Sequence, residues 1–418
     1  MKRAGTYFFW LVIALGLIVR IVAVTYNGTF DIATYYDWGI NTLTKGLDDF
    51  FHGTYFPFQY QIFAFASWLS LILDVEFFVV FKSFNLIFDC GNLFVLFLIL
   101  NKLNLSKYYL ILYWIHPWFL NMFSLGYSDF HFTFFILCTL YFTLKDTLRD
   151  YLIAGIFLSF AFMMKPQVQI ILLSFFIYGV LQFIRKRELK TFHIFVFPVI
   201  LFINYWLYFL IKAHDIYRLI YAYLDVANVM PCLNANFLNG WFPVAYFMKG
   251  KDEAIYSISD EITLLAGLSF RKLAILLVLI LITWFIIRLV NRKQNSNLDL
   301  YIIATFSTFA VPFLMTSAHE NHLFPATVLI IPVLAMSKNL LFKISVHVIL
   351  FLQFINLYGF YGVGDLNKIK LPRYNYTYDI ALILSMIAFF AFLIMVYYFT
   401  AKKYGLSLQF PDQPAAKS

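Results

Sequence analysis

Apolar runs of helix-spanning length recur along the whole chain, and they leave few folds open. The clearest lie at residues 7–25, 77–100, 168–184, 192–211, 273–290, 301–316, 344–360 and 380–399. Most match the ~17–25 residues that a helix needs to cross the hydrocarbon core of a bilayer. Shorter or interrupted runs lie at 58–73, 108–123, 130–144, 151–164 and 323–336. As membrane segments these must tilt, break or stay covered by protein, because irregular backbone is tolerated at that depth only when sheltered. Hydrophobic residues make up 62% of the chain and charged residues 13%, which is more apolar surface than one aqueous core can hide. The expected fold is all-α, a polytopic membrane bundle of about 11–13 helices. It forms one domain over residues 1–404, with a polar tail at 405–418.

The formal charge is +9, from 31 Lys and Arg against 22 Asp and Glu. No stretch forms a folded basic domain for nucleic acid. The cations instead collect at the ends of apolar runs, as the positive-inside rule describes for cytoplasmic loops. Lys2/Arg3, Lys145/Arg149, Arg185 to Arg187, Arg292/Lys293, Lys338/Lys343 and Lys402/Lys403 are accordingly placed on the cytoplasmic side. The loops 26–57 and 212–271, the corner at 319–322 and the segment 362–378 then face outward. Parity between residues 26 and 145 requires one run not to cross. The run at 108–123, interrupted by His116-Pro117, is assigned that place. The first run lacks an A-x-A-like cleavage site and reads as a retained helix. Cys90, Cys138 and Cys232 are too scattered for a disulfide framework or a zinc site. No internal repeat of the kind common in transporters is visible.

This orientation gathers the chemically useful side chains on the external face. The first loop carries Asp31 and Asp37 among Tyr35, Tyr36, Trp38, Phe50 and Phe51, a composition suited to amphipathic helices lying in the interface. A carboxylate fixed there can serve as a base. Asp129 follows Gly126-Tyr127-Ser128, and Lys165-Pro166-Gln167 places a lysine where the charge rule disfavours one, so an anionic partner is expected. His319 and His322 flank Glu320. Their spacing is not the H-E-x-x-H of zinc proteases, and the group suits either a divalent metal or, protonated, a phosphate. Asn234, Asn236, Asn239 and Trp241 combine amides with an indole, which suits a sugar. Lys82 and Asp89 share one face of a helix inside the membrane and are expected to pair there.

The order of these motifs resembles the GT-C superfamily of glycosyltransferases that use polyprenyl-phosphate sugars, and within it the bacterial relatives of the second mannosyltransferase of GPI-anchor assembly. Asp31 with Tyr35, Tyr36 and Trp38 matches the first external loop, and Tyr55-Phe56-Pro57 through Tyr60 matches the start of the next helix. His116-Pro117 through Asp129, Lys165-Pro166-Gln167, Asn234-Ala235-Asn236 through Trp241, and His319 through Pro325 follow in family order. Asn321 and His322 replace the Arg and Tyr of the last motif, Tyr127-Ser128 replaces a Gln, and Phe56 replaces the first Pro of a pair. The resemblance implies a bacterial cell-membrane enzyme that moves a hexose, with inversion, from a polyprenyl-phosphate donor to an acceptor hydroxyl on a glycan or lipid. In that reading Asp31 is the base, and Lys165, His319 and His322 hold the donor phosphate. Asp37, Asp129, Gln167, Asn234, Asn236, Trp241 and Glu320 bind substrate. No cofactor is required, and a divalent metal is left open. A lipid or solute transporter is the alternative, with a non-catalytic membrane scaffold behind it.

Overall fold

The computed structural model describes residues 2–400 apart from 52, 225–227, 229, 250–253, 266, 292–297 and 365–376. The 405–418 tail and the Arg292/Lys293 and Lys402/Lys403 clusters lie outside the described residues, as do parts of the 212–271 loop and most of the 362–378 segment.

The chain is a helical bundle. α1 (Lys2–Val24) runs its length, and α2 (Asp31–Lys45), the single turn α3 (Leu47–Phe50) and α4 (Pro57–Leu73) follow at one end. α5 (Phe77–Lys102) returns, and α6 (Leu110–Ile115) with α7 (Pro117–Leu125) comes back as one broken segment. α8 (Asp129–Thr143), α9 (Leu148–Phe162), α10 (Gln169–Lys186) and α11 (Val196–Lys212) alternate in direction. The long loop after them holds α12 (Arg218–Leu224), α13 (Trp241–Met248) and a small hairpin of β1 (Thr263–Leu265) and β2 (Leu268–Ser269). α14 (Phe270–Val290), α15 (Asp299–Leu314), α16 (Phe324–Met336), α17 (Leu340–Tyr361) and α18 (Tyr378–Thr400) complete the bundle.

Among the described residues, seven helices, built on α1, α5, α10, α11, α14, α17 and α18, are long and apolar enough to cross a membrane. Their outer faces are those of a chain solvated by hydrocarbon. On α1, Tyr7, Phe8, Trp10, Leu11, Ile18 and Ile21 are exposed while Arg20 is fully buried, the reverse of a soluble helix. The chain is thus a multi-pass membrane bundle.

Contacts define its two ends. At the basic end, Tyr108 packs on Phe9, Lys343 donates to the Tyr109 hydroxyl, and Arg185 donates to the Val290 carbonyl. At the opposite end, the Gly28 amide donates to the Gly364 carbonyl at 2.8 Å and the Thr29 amide to the Leu125 carbonyl at 2.9 Å. Besides the seven long helices, α6 with α7, α8, α9, α15 and α16 also run between these ends.

This geometry corrects the expected topology. The run 108–123 does traverse the bundle, from Tyr108 against Phe9 to Leu125 against Thr29. The break at His116-Pro117 only bends it, with the His116 ring capping the Trp118 amide. α4 is the segment that stays at one end. The Phe56 and Phe58 amides at its start donate to the Met164 and Met163 carbonyls, and its last residues lead through a three-residue turn into the top of α5. It lies antiparallel to α2, where Tyr35 stacks on Phe63 with ring centroids 4.6 Å apart. Gly39 lets the two backbones approach, since a Cβ there would sit 2.5 Å from the Phe63 carbonyl oxygen.

Lys82 and Asp89 are both fully buried, but they are not partners of each other. Asp89 accepts from Arg20 at 2.5 Å and from the Tyr113 hydroxyl. The Arg20 guanidinium lies 3.7 Å from the centre of the Trp114 ring. Lys82 donates instead to the backbone carbonyls of Ala23, Tyr26 and Ser124.

Candidate functional site

Loops at the end opposite the basic one converge on a single charged cluster, and local sequence explains each position. Gly28, at φ +84°, reverses the chain after α1, a conformation that glycine adopts without steric cost. Asp31 then falls in the first turn of α2. Gly126, at φ +80°, ends α7 and delivers Asp129 to the first turn of α8. Lys165 is extended (φ −143°, ψ 138°), as the ring of the following Pro166 favours, so α9 stops and the lysine turns into the cluster. His319 is extended too, and its backbone bridges Ala235 and Asn236.

The pairings are specific. The Lys165 ammonium lies 2.7 Å from the Asp129 carboxylate, and both are almost wholly buried. Asn321 donates to the other Asp129 oxygen at 3.1 Å. The rings of Tyr55 and Phe132 lie 5.4 and 5.3 Å from the lysine nitrogen, close enough for a cation–π contribution. Glu320 accepts from the Tyr127 hydroxyl at 3.1 Å, with the Tyr361 hydroxyl beside it, and the His319 Nδ1 is 3.9 Å away. The His322 Nδ1 accepts from the His319 amide, which leaves Nε2 to carry the proton of the neutral ring.

Asp31 is half-buried in this surrounding. Desolvation, followed by the nearby Glu320 charge, pushes its pKa up to about 6, with His319 and Lys165 pulling the other way. A carboxylate titrating there is ionised at neutral pH yet far more basic than an ordinary aspartate, the property a general base needs. Burial holds the partly exposed His319 below the usual histidine range, so it is a neutral imidazole at pH 7.

The structure therefore brings Asp31, Asp129, Lys165, His319, Glu320 and His322 together. Polar atoms at the same end lack a hydrogen-bond partner within the protein: the buried Thr29 Oγ1, Gln167 Oε1, Asn236 Oδ1 and Glu320 Oε2. Unsatisfied buried groups of this kind call for a physical account.

Other expected site residues have different employment. Asn234 is fully buried and its amide donates to the Phe237 carbonyl and to Asn239. The Trp241 indole donates to the Leu314 carbonyl at 2.6 Å. Both shape the loop that backs His319, and the Asn234 Oδ1 is left without a partner within the protein. Asp37 is exposed, because six residues of helix turn it about 240° away from Asp31. Tyr55, Tyr127, Asn321 and Tyr361 touch the site and went unassigned. Tyr127 and Asn321 stand beside assigned residues in sequence, whereas Tyr361, at the far end of α17, gives no local signal. Among the described residues, no three His, Cys, Asp or Glu side chains are grouped to hold a metal ion.

Comparison of the chain with protein-family models, curated proteins and solved structures finds no match.

Proposed function

We propose that the protein is a membrane glycosyltransferase of GT-C type that transfers a hexose from a polyprenyl-phosphate donor to an acceptor hydroxyl. The observation that carries the reading is Asp31, a half-buried carboxylate pushed up to about 6, at the bundle end where aromatic helices α2 and α4 lie across the helix tops. In the reaction Asp31 takes the proton of the acceptor hydroxyl. The acceptor oxygen bonds to the anomeric carbon as the bond from that carbon to the phosphate oxygen breaks, and the polyprenyl phosphate leaves with the electron pair.

The charge balance suits this step. Glycosyl transfer builds positive charge on the sugar ring, as in oxocarbenium-like transition states. Asp31, Asp129 and Glu320 surround the cluster with carboxylates oriented before reaction. Lys165 is the group for the leaving phosphate, which it meets while still held by Asp129. Asn321 and Tyr127, where the chain departs from the family motifs, are the groups that hydrogen-bond Asp129 and Glu320, so the departures exchange partners around the same acids. His319, as a neutral ring, offers hydrogen bonds and not charge, which narrows its expected phosphate role. The donor, the envelope acceptor and the bacterial setting rest on the motif resemblance.

A transporter would place its polar groups along a path through the bundle. Here the deep charges of Arg20, Asp89 and Lys82 are bonded to protein groups, which favours the transferase. The test supplies purified protein in nanodiscs with radiolabelled polyprenyl-phosphate hexoses and membrane glycolipid acceptors. A new glycosidic product that disappears in Asp31→Asn supports the reading. Product formed at the wild-type rate by Asp31→Asn, or lipid flux across proteoliposomes with no product, overturns it.

A further inference from the structure

α5 carries a polar stripe, Lys82, Asn85, Asp89 and Asn92, spaced so that all four lie on one helix face. All four are fully buried. Asp89 anchors Arg20 of α1 and Tyr113 of α6. The other three donate to backbone carbonyls, and the choice of carbonyls is informative. Asn85 donates to the Tyr127 carbonyl at 3.0 Å and Asn92 to the Phe130 carbonyl at 3.2 Å, which brackets Asp129. Lys82 donates to Ala23 and Tyr26 at the end of α1, and to Ser124 at the end of α7.

Helix C-termini leave their last carbonyls unpaired and carry partial negative charge. In a membrane bundle those groups must find a donor inside the protein. One ammonium serves two such ends here. Asp31 lies five residues beyond Tyr26, and Asp129 lies five beyond Ser124. The two segments also meet directly, through the Thr29 amide on the Leu125 carbonyl. Little side-chain volume fits between them, since a Cβ on Gly126 would lie 2.4 Å from the Ile32 side chain and 3.0 Å from Lys82.

We infer that Lys82 is a positioning residue that fixes the spacing between Asp31 and the Asp129–Lys165 pair by pinning the ends of α1 and α7 to one charge. It touches no substrate. The catalytic consequence rests on the glycosyltransferase reading; the pinning itself does not.

Two readouts separate these. Lys82→Met keeps the stem and removes the ammonium. Hydrogen exchange of the full protein in nanodiscs should then quicken at least tenfold at amides 27–31 and 124–129, while α10, α14 and α18 keep wild-type protection. In the transferase assay, kcat should fall about 10–100-fold, the loss expected of a misplacement near 1 Å, with donor KM within about threefold. Lys82→Arg should restore most of both. Unchanged exchange in those two segments overturns the pinning, whatever the activity. Altered exchange without transferase activity in the wild type supports the pin and removes the glycosyltransferase reading instead. If Lys82→Met does not fold, Asn85→Leu decides: faster exchange confined to 124–130 supports the stripe as a positioning device, and wild-type exchange there overturns it.

Discussion

At the scale of single residues, the chemistry turns on how a low-dielectric surrounding treats carboxylates. Asp31 is raised from an ordinary value to about 6, so its proton is held more tightly in the folded protein than in the unfolded chain. The sign follows: between the unfolded and folded values the native state binds more protons, and stability falls as pH rises through that window. At pH 7 the ionised Asp31 is a net cost, on the order of 3 kcal/mol. Asp31→Asn should raise thermal stability at pH 7 and gain little at pH 4, while glycosyl transfer drops by the 10²–10⁴-fold typical of a lost base. Wild-type activity should have an acid limb with a midpoint near 6 rather than 4. A variant less stable at pH 7, or an acid limb near 4, would count against the assigned environment. The Lys165–Asp129 pair makes a second prediction. Lys165→Met strands a buried carboxylate and should cost about 3–5 kcal/mol, whereas the double variant Asp129→Asn/Lys165→Met should recover much of it. Equal losses in denaturation of the single and double variants would mean that the pair is not coupled. Residue types alone marked Asp31, Asp129, Lys165, His319, Glu320 and His322, because charge is conspicuous in an apolar chain. Asn234 and Trp241 are less legible, since the Asn234 amide donates to the Phe237 carbonyl and the Trp241 indole to the Leu314 carbonyl, and an amide reads the same whether it binds a ligand or a neighbour.

At the scale of elements, apolar length marks helices well and says little about their direction. The runs 77–100 and 380–399 became α5 and α18 with ends a few residues away. The runs 58–73 and 108–123 are both short, and only packing separates the crossing one from the lying one. Proline drew attention to the wrong segment: at the first position of a helix it is tolerated, and α7 starts with Pro117. The α2–α4 pair carries a prediction at this scale. Gly39 faces Ser67 and the Phe63 carbonyl so closely that even a methyl at 2.2–2.5 Å must displace backbone. Gly39→Ala should push α2 off α4, shift Asp31, and lower activity by at least tenfold. Gly267, with nothing within 4 Å of a Cβ but at φ +78°, provides a control in which Gly267→Asn leaves activity unchanged. Wild-type activity in Gly39→Ala would show that α2 is not seated as described.

For the whole molecule, one arrangement accounts for both the charge map and the site. The basic residues Lys107, Arg185, Lys343 and their neighbours collect at one end, and the acid-rich cluster lies at the other, where α2 and α4 cap the bundle. Keeping α4 at that end also repairs the parity that the sequence posed, because α1, α5 and the broken α6–α7 segment then alternate and return the chain to Asp129 on the site side. This placement is open to direct measurement. In a background with Cys90, Cys138 and Cys232 replaced by serine, single cysteines at the exposed positions Gln61, Asp74 and Lys102 report on the two ends of α4 and the far end of α5. A membrane-impermeant thiol reagent applied to intact cells should label Gln61→Cys and Asp74→Cys alike, and should reach Lys102→Cys only after the cells are opened. Labelling of Gln61→Cys and Lys102→Cys together in intact cells, with Asp74→Cys reached only after the cells are opened, would make α4 a crossing helix and put Asp129 on the opposite side of the membrane from Asp31.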